Sequence, residues 1–322
     1  MDQEIKEKPI YTILKEICEE KGIEFKYFSY GWIIQMSLGD IKRYVSDSRF
    51  DLNNVIAGQI VCDKFATFEL LEDQRIPVIK HHMIFNPRTR KKYVPDEGTF
   101  APLYEYLRQY GRVVIKPNDG SLGKGIYRCE TNKEIEYAVL ELFKGNGSIS
   151  LCPFYDIAKE YRTFYLDGEC LHSYAKTKPQ ITGDGQRTIR ELVSGCKQEL
   201  IDGLLNKNID LETVLPPATN LELSWKHNLS RGAIVEEITD YDKLSKIHDI
   251  VKMAGAATGI TFATVDVAEL STGELLVMEV NLGIGMSKYI EQSPIGYEQI
   301  KRVLSCAVDK MFSLENIYSS HI

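Results

Sequence analysis

Apolar residues recur at helical spacing in the opening segment of the chain. Between residues 9 and 21 they fall on one face, with charged residues between them, and Gly22 follows as a helix stop. This pattern predicts an amphipathic helix. Similar spacing predicts further helices over residues 64–71, 103–110, 135–143 and 241–258.

Short apolar runs bounded by turn residues predict strands between these helices. Residues 24–30 and 32–44 are such runs, and Leu38-Gly39-Asp40 divides the second into a hairpin. Residues 182–225 give a mixed and partly irregular pattern. Strands and helices follow one another without strict βαβ alternation, which indicates an α+β or mixed α/β enzyme of more than one domain. The other predicted strands are residues 76–79, 113–117, 126–128, 148–154, 161–165, 170–175, 261–270 and 274–281.

Composition and charge exclude several classes of protein. The 322 residues are 43% hydrophobic, which is typical of a globular protein. The formal net charge is -7 and the basic residues are scattered, so nucleic acid is not an expected partner. No apolar run approaches the roughly eighteen residues that span a bilayer. The seven cysteines are odd in number and never form a CxxC pair, which favours a reducing compartment. We therefore expect a cytoplasmic protein without a membrane segment.

A glycine-rich loop follows one of the predicted strands. Gly120, Gly123 and Gly125 let backbone N–H groups turn toward an anion, and Lys116 and Lys124 add positive charge. Such a loop suits a triphosphate. The order GxxGxG is neither a P-loop nor the dinucleotide-binding fingerprint, and a glycine-rich hairpin turn is the alternative interpretation.

Three oxygen-bearing side chains are predicted to converge on the last hairpin. Glu279 and Asn281 are two residues apart and share one face of their strand, and Asp266 on the preceding strand can lie opposite them. Two carboxylates and an amide suit Mg²⁺, which completes its octahedron with phosphate oxygens and water. The alternative is the polar outer face of an ordinary hairpin.

Basic residues at strand ends or before glycines are candidates for phosphate contact, although most lysines are solvated surface groups. The pair His81-His82 has no third ligand nearby in the sequence and is interpreted as surface. No GxSxG elbow and no Cys-His nucleophile motif occurs, so covalent catalysis is not expected. The basic candidates are Lys64, Arg162, Lys176, Lys178 and Arg231.

Taken in order, these segments resemble the ATP-grasp enzymes, and within them the core shared by cyanophycin synthetase and the bifunctional glutathione synthetases. The resemblance covers about residues 33–286 and rests on IIQMSLGDIKRY, IAGQIVCDKFATFELLEDQRIPV, VVIKPNDGSLGKGI, KEYRTFYLDGE, ITGDGQRTIRELV, HNLSRGA, DVAEL and MEVNLGIG. It implies the ATP-grasp fold, in which two α+β lobes hold the nucleotide. The implied domains are a short N-terminal domain over residues 1–62, a central lobe over 63–153 and a C-terminal lobe over 154–322.

The same resemblance implies roles for individual residues. Glu160 is expected to hold the ribose hydroxyls. The other residues expected to bind ATP are Lys64, Lys116, Gly120, Ser121, Gly123, Lys124, Gly125, Cys152, Phe154 and Met278. The metal, Mg²⁺ or alternatively Mn²⁺, is expected at Asp266, Glu279 and Asn281. The residues expected to act near the phosphates and the acyl group are Arg162, Lys176, Asn228 and Arg231.

Two departures from the family pattern affect these roles. The glutamate that the family often has at the hinge between the lobes is replaced by Leu151-Cys152-Pro153-Phe154, which leaves adenine to backbone groups. The Arg-x-Pro-Ala motif is replaced by Lys176-Thr-Lys-Pro179, so Lys176 or Lys178 is the candidate for the arginine's role, as a point charge rather than a fork.

The resemblance implies an ATP-dependent carboxylate–amine ligase that forms an amide through an acyl phosphate. Amino acids or small peptides are the expected substrates. A homodimer is an open alternative to a monomer. No Mur-ligase-like or glutamate–cysteine ligase half is recognised, so we expect a small stand-alone ligase. The alternatives are a ligase that modifies or crosslinks a peptide or protein, a nucleotide-binding relative without turnover, and a kinase with a hydroxyl acceptor.

Overall fold

Helices and strands mix along the described part of the chain, which in this computed structural model comprises residues 8–89, 91–119 and 125–314. This mixture confirms the predicted α+β class. The helices are α1 Pro9–Lys21, α2 Val55–Cys62, α3 Lys64–Asp73, α4 Ala101–Tyr110, α5 Asn132–Leu142, α6 Ile189–Leu192, α7 Gln198–Asn206, α8 Tyr241–Thr258, α9 Ser287–Gln292 and α10 Gly296–Phe312. The strands are β1 Glu24–Phe28, β2 Ile33–Leu38, β3 Ile41–Ser46, β4 Arg49–Phe50, β5 His82–Phe85, β6 Val113–Pro117, β7 Tyr127–Cys129, β8 Ser148–Pro153, β9 Ile157–Leu166, β10 Glu169–Thr177, β11 Gln180–Thr182, β12 Asn220–Glu222, β13 Ile234–Glu236, β14 Phe262–Leu270 and β15 Leu275–Asn281.

The first helix shows how apolar spacing and a glycine define an element. Ile13 and Ile17 of α1 are fully buried on its inner face. Gly22 ends the helix with φ 66°, a left-handed conformation that glycine adopts without strain. The amide of Ile23 then donates to the carbonyl of Cys18 at 2.8 Å, which satisfies a free carbonyl of the last turn. The predicted opening helix is therefore confirmed.

The short strand predicted over residues 76–79 does not form. In the described chain this segment makes an isolated β-bridge, between Val78 and Val277. The amide of Ile79 donates to Val277 O at 3.0 Å, and the amide of Val277 donates to Pro77 O at 2.8 Å. Pro77 has no N–H to donate, so the pairing does not extend into a strand.

The N-terminal strands form an antiparallel sheet in the order β1-β2-β3-β4, which packs against α1 and α10. This sheet shares one hydrophobic core with the largest sheet of the molecule. The shared core includes Ile13, Leu14, Ile34, Met36, Phe164, Phe262, Leu304 and Val308.

Two more antiparallel sheets form the centre of the molecule. The larger has the order β13-β10-β9-β14-β15 and is covered by α8, and the smaller has the order β5-β8-β6-β7 and is covered by α4 and α5. An apolar cluster joins the two sheets. Its members Val114 and Cys152 come from the smaller sheet, and Ala268 and Leu276 come from the larger. This junction positions the two halves of the candidate site.

The segment predicted to be mixed forms a small unit of its own. β11 and β12 pair in an antiparallel sheet, and α6 and α7 pack beside them around Leu200, Leu204 and Leu223. Gly183 is required here because a Cβ at this position would lie 2.3 Å from the carbonyl oxygen of Pro216. In the described part of the chain, no helix combines the length and the apolar character needed to cross a bilayer.

Candidate functional site

The predicted trio of oxygen ligands converges on the hairpin of β14 and β15. Asp266 and Glu279 are direct partners in the pairing of the two strands. The Nδ2 atom of Asn281 lies 3.4 Å from Asp266 Oδ2 and 3.4 Å from Glu279 Oε2. The structure therefore brings together the three residues that the sequence singled out.

Asp266 is buried, and two cationic side chains form ion pairs with its carboxylate. Arg162, its partner across β9 and β14, donates through Nε to Oδ1 at 2.8 Å and through Nη2 to Oδ2 at 2.6 Å. Lys176 Nζ lies 3.2 Å from Oδ1. Burial raises the pKa of Asp266, but the positive charges of Arg162 and Lys176 outweigh burial and lower its pKa to about 2. Asp266 is therefore a carboxylate at neutral pH.

Lys176 links Asp266 to a second buried carboxylate. It forms an ion pair with Glu160, the residue assigned to the ribose hydroxyls. Burial and the nearby charge of Asp266 raise the pKa of Glu160, and Lys176 opposes this shift. One lysine thus connects the predicted ribose position to the predicted metal position.

The first predicted nucleotide-binding lysine begins α3. Asp63 caps this helix, since its Oδ1 accepts from the amides of Phe65 at 3.0 Å and Ala66 at 2.9 Å. The cap fixes the position of Lys64, whose Nζ lies 3.1 Å from Glu279 Oε1 and 3.4 Å from the carbonyl oxygen of Asn118. Lys64 therefore contacts both the metal trio and the chain that enters the glycine-rich loop.

The second predicted lysine lies on β6 beside a histidine that the sequence did not assign to the site. Lys116 pairs with Ser150 across β6 and β8, and Ser150 Oγ lies 2.7 Å from Nδ1 of His81. The interpretation of His81 as a surface residue is wrong, since only 3% of it is exposed. His82 is half-buried, with Nε2 2.7 Å from the carbonyl oxygen of Glu97.

Three residues predicted to contact the nucleotide share one apolar cluster. Cys152 is buried in it, and Phe154 and Met278 pack against it. The guanidinium groups of Arg112 and Arg128 lie 4.8 Å and 5.6 Å from the centre of the Phe154 ring. An apolar environment of this kind suits a purine base.

Most of the predicted phosphate loop lies outside the described residues, namely Gly120, Ser121, Gly123 and Lys124. Gly125, where the chain leaves the loop, has φ 64° and packs so tightly that a Cβ would lie 2.9 Å from Cδ2 of Leu142. The next residue, Ile126, accepts a hydrogen bond from Lys226 Nζ at 3.2 Å. The end of the loop is thus tied to the C-terminal lobe.

Two of the predicted catalytic residues form polar contacts with other side chains or backbone groups of the protein. Arg231 forms an ion pair with Glu199 of α7. The side-chain oxygen of Asn228 accepts from the amide of Ser230 at 2.9 Å and from its hydroxyl at 2.7 Å. The roles of Arg231 and Asn228 near the acyl group remain predictions.

The chemistry of the trio fits Mg²⁺. Mg²⁺ takes one or two protein carboxylates and keeps several waters or phosphate oxygens, so two carboxylates and one amide are a sufficient protein contribution. Among the described residues, no group of three His, Cys, Asp or Glu side chains forms a cage by itself. The trio is a candidate for the protein part of a Mg²⁺ coordination sphere whose other positions are taken by water or phosphate oxygens.

Known sequences align with most of this chain. A cyanophycin synthetase of Trichormus variabilis is 24% identical over 306 residues, which cover 88% of this chain and 33% of that protein. A glutathione biosynthesis bifunctional protein of Streptococcus mutans is 23% identical over 250 residues, which cover 69% of this chain and 31% of that protein. The chain thus spans about a third of the length of these relatives. Models of known protein families give no match.

Solved structures share the fold. A bifunctional glutathione synthetase from Pasteurella multocida superposes with a TM-score of 0.53 at 18% identity, over 91% of this chain and 43% of that one. A D-alanine–D-alanine ligase from Bacillus anthracis gives 0.53 at 15% identity, over 82% of this chain and 72% of that one. The chain therefore has the ATP-grasp fold, and its predicted resemblance to the ATP-grasp core of cyanophycin synthetase and bifunctional glutathione synthetases is confirmed.

Proposed function

We propose that this protein is an ATP-dependent carboxylate–amine ligase that forms an amide through an acyl phosphate. The observation that carries the proposal is the convergence of Asp266, Glu279 and Asn281 with Lys64 on one side of the junction between the two sheets. Oxygen ligands for a divalent cation and a lysine for phosphates then face the same space. The relatives that share the fold carry ligase and synthetase names, which agree with this chemistry.

Lys64 and Lys116 bind the α and β phosphates in this proposal, and the Gly120–Gly125 loop covers the γ phosphate. Asp266, Glu279 and Asn281 would hold Mg²⁺, or Mn²⁺, which would supply charge neutralisation for the phosphates. Positioning and charge compensation account for most of the catalysis of phosphoryl transfer. The substrate carboxylate attacks the γ phosphorus, ADP leaves, and an amine then displaces phosphate from the acyl carbon.

The remaining predicted residues act around this centre. Arg162 and Lys176 keep Asp266 ionised and oriented, and Glu160 binds the ribose. Arg231 and Asn228 stabilise the charge that develops on the phosphate and the acyl oxygen. The acyl phosphate has to be shielded from water, because water would hydrolyse it.

The proposed substrates are a small-molecule carboxylate and an amine, of the amino-acid or peptide class. The names of the relatives point in this direction, since glutathione and D-alanyl-D-alanine are both joined by amide bonds. We propose a cytoplasmic location, without nucleic acid or membrane as partner. A homodimer is compatible with the proposal.

The proposal predicts that Lys116→Ala and Glu279→Gln each lower ADP formation at least about 100-fold, because each removes a charge that binds phosphate or metal. ADP release is measured with pools of amino acids and dipeptides as carboxylate and amine donors. Lys80→Ala, which removes an exposed lysine that has no assigned role, is the matched control and should retain activity. The thermal midpoint of each variant verifies folding. ADP formation at the wild-type rate in either site variant would contradict the assignment, and no ADP with any donor pair would favour a relative without turnover.

A further inference from the structure

Strand β7 forms one edge of the smaller sheet. Its residues Tyr127–Cys129 pair with β6 in an antiparallel ladder. In the order β5-β8-β6-β7 it is the last strand, and among the described residues no strand pairs with its other side. An open edge presents backbone N–H and C=O groups, to which an extended peptide can add as a further strand.

A cavity lies beside this edge, between β7 and helix α5. Its volume is about 290 Å³. This volume is close to the lower end of the range for small-molecule pockets, roughly 300 Å³, so an aromatic or aliphatic side chain fits in it. The rings of Tyr127 and Tyr137 meet edge to face in the lining, with their centroids 6.1 Å apart. The whole lining consists of Tyr127, Arg128, Cys129, Lys133, Glu134 and Tyr137.

Helix α5 exposes apolar side chains on the side of this cavity. Tyr137 is 61% exposed, and Leu140, three residues further and so on the same face, is 68% exposed. The opposite face of the helix is buried in the core through Ile135 and Val139. Large apolar side chains that are exposed together beside a pocket are typical of an interaction surface.

The charges at the cavity favour an acidic partner. Glu134 is occupied at the start of α5, where its Oε2 accepts from the amides of Glu130 at 2.8 Å and Thr131 at 2.9 Å. Arg128 Nε lies 3.4 Å from Glu130 Oε1. Lys133 is exposed and forms no ion pair within the described ranges of the chain. Its ammonium group is therefore available to a carboxylate of a partner.

The start of β7 connects the cavity to the candidate site. Tyr127 follows Gly125, the last glycine of the predicted phosphate loop, by two residues. Between them, the carbonyl oxygen of Ile126 accepts from Lys226 Nζ of the C-terminal lobe at 3.2 Å. A peptide that lies along β7 would therefore pass beside the loop and the cleft between the lobes.

We propose that β7 and α5 bind an extended acidic segment of a peptide substrate. The segment adds to the smaller sheet as a further strand and inserts an apolar side chain between Tyr127 and Tyr137. Pairing of the two backbones supplies affinity, the cavity selects the apolar side chain, and Lys133 attracts a carboxylate. The inference rests on the proposed function and narrows its substrates to the peptide class.

The probes are fluorescein-labelled peptides of about nine residues, blocked at both ends, with a central Tyr, Phe or Leu among Val and Thr and a Glu near each end. Fluorescence polarisation measures their binding to the full chain at low ionic strength, without ATP. We expect Tyr137→Ala and Lys133→Glu each to weaken binding at least about fivefold. Tyr241→Ala and Lys246→Glu, which replace exposed residues of α8, are the matched controls and should bind like the wild type. The thermal midpoint of each variant verifies folding.

Modified peptides test the pairing with β7. The N–H groups of successive residues in a strand point to opposite edges, so N-methylation of alternate residues removes the donors of one edge at a time. One methylated series should bind at least about fivefold more weakly than the other. Equal affinity of the two series, unchanged binding by Tyr137→Ala, or no binding of any peptide to the wild type would overturn the inference.

Binding without ATP also separates this inference from the proposed function. If the wild type binds the peptides as expected but forms no ADP with any donor pair, the docking surface stands and the ligase proposal is wrong. If ADP forms with free amino acids and none of the peptides binds, the ligase proposal stands and the docking surface is wrong.

Discussion

At the scale of single residues, the charge of Lys176 compensates two carboxylates that are removed from water. Glu160 and Asp266 are each buried, and the lysine contacts both. Removal of one partner of a buried ion pair leaves an uncompensated charge, which destabilises a protein by about 3–5 kcal/mol. The stability of the fold therefore depends on the charge of Lys176.

Lys176→Met should lower the free energy of unfolding by about 3–5 kcal/mol, because it leaves Glu160 and Asp266 with one cation fewer. The double variant Lys176→Met/Glu160→Gln removes one of the two negative charges as well, and it should recover part of this loss. Urea unfolding of both variants at neutral pH measures the difference. A double variant that is less stable than the single variant would show that Lys176 does not act through Glu160.

The residues of the site that the sequence predicts are those whose geometry follows from local periodicity. Glu279 and Asn281 share a strand face, and a hairpin brings Asp266 opposite them, so their convergence could be deduced. The burial of His81 could not be deduced in this way. It depends on the bridge between Val78 and Val277, two residues that are nearly two hundred positions apart in the chain. The sequence contains no local signal for such a contact.

At the scale of elements, helix α8 packs on the large sheet through a glycine. A Cβ added to Gly255 would lie 2.3 Å from Cζ of Tyr165, whose side chain is buried against the helix. Alanine is favoured over glycine by about 1 kcal/mol inside a helix. Close packing therefore opposes helix propensity at this position.

Gly255→Ala should destabilise the protein by about 1–3 kcal/mol, because overpacking outweighs the gain in helix propensity. Gly203→Ala is the matched control inside α7. There the nearest atom to the new Cβ, Leu223 O, lies at an ordinary 3.6 Å, so this substitution should be neutral or stabilising by up to about 1 kcal/mol. Thermal and urea unfolding of the two variants should give opposite signs, and the same sign for both would refute the packing argument.

Elements with clear periodicity were predicted, and those that depend on tertiary contacts were not. The bounds of α8 agree with the prediction, Asp240 caps its first turn and Gly259 ends it in the left-handed region. The sequence does not predict helix α2, because Gln59 is the one polar residue in VIAGQIVC and the segment shows no helical period. Strand β5 was missed for a related reason, since four residues are too few to show a period.

At the scale of the whole molecule, several histidine side chains are neutral in the folded protein. Burial lowers the pKa of His172 to about 4, and Arg302 contributes to this shift. Burial likewise lowers the pKa of His227 to about 4. In the unfolded chain both histidines bind a proton near their ordinary pKa of about 6.5. Between about pH 4 and 6.5 the unfolded state therefore binds more protons, and stability falls as the pH falls.

Protonation of each of these two histidines in the unfolded state should lower the free energy of unfolding by at most about 2 kcal/mol between pH 7.5 and pH 5. The free energy of unfolding of the variant His172→Gln/His227→Gln should therefore fall by up to about 4 kcal/mol less than that of the wild type over this range. Urea unfolding at the two pH values gives the comparison, and other titrating groups cancel because both proteins contain them. An unchanged pH dependence in the variant would mean that neither histidine is held neutral.

The contact between α1 and α10 has a consequence for synthesis of the protein. Lys21 Nζ lies 2.6 Å from Asp309 Oδ1, although the two residues are 288 positions apart, and the apolar faces of both helices share one core. A ribosome adds about 5–20 residues per second, so roughly 15–60 s separate the emergence of the two helices. During that time the apolar face of α1 has no α10 to cover it, and the nascent chain exposes an apolar surface to chaperones until α10 leaves the ribosomal tunnel.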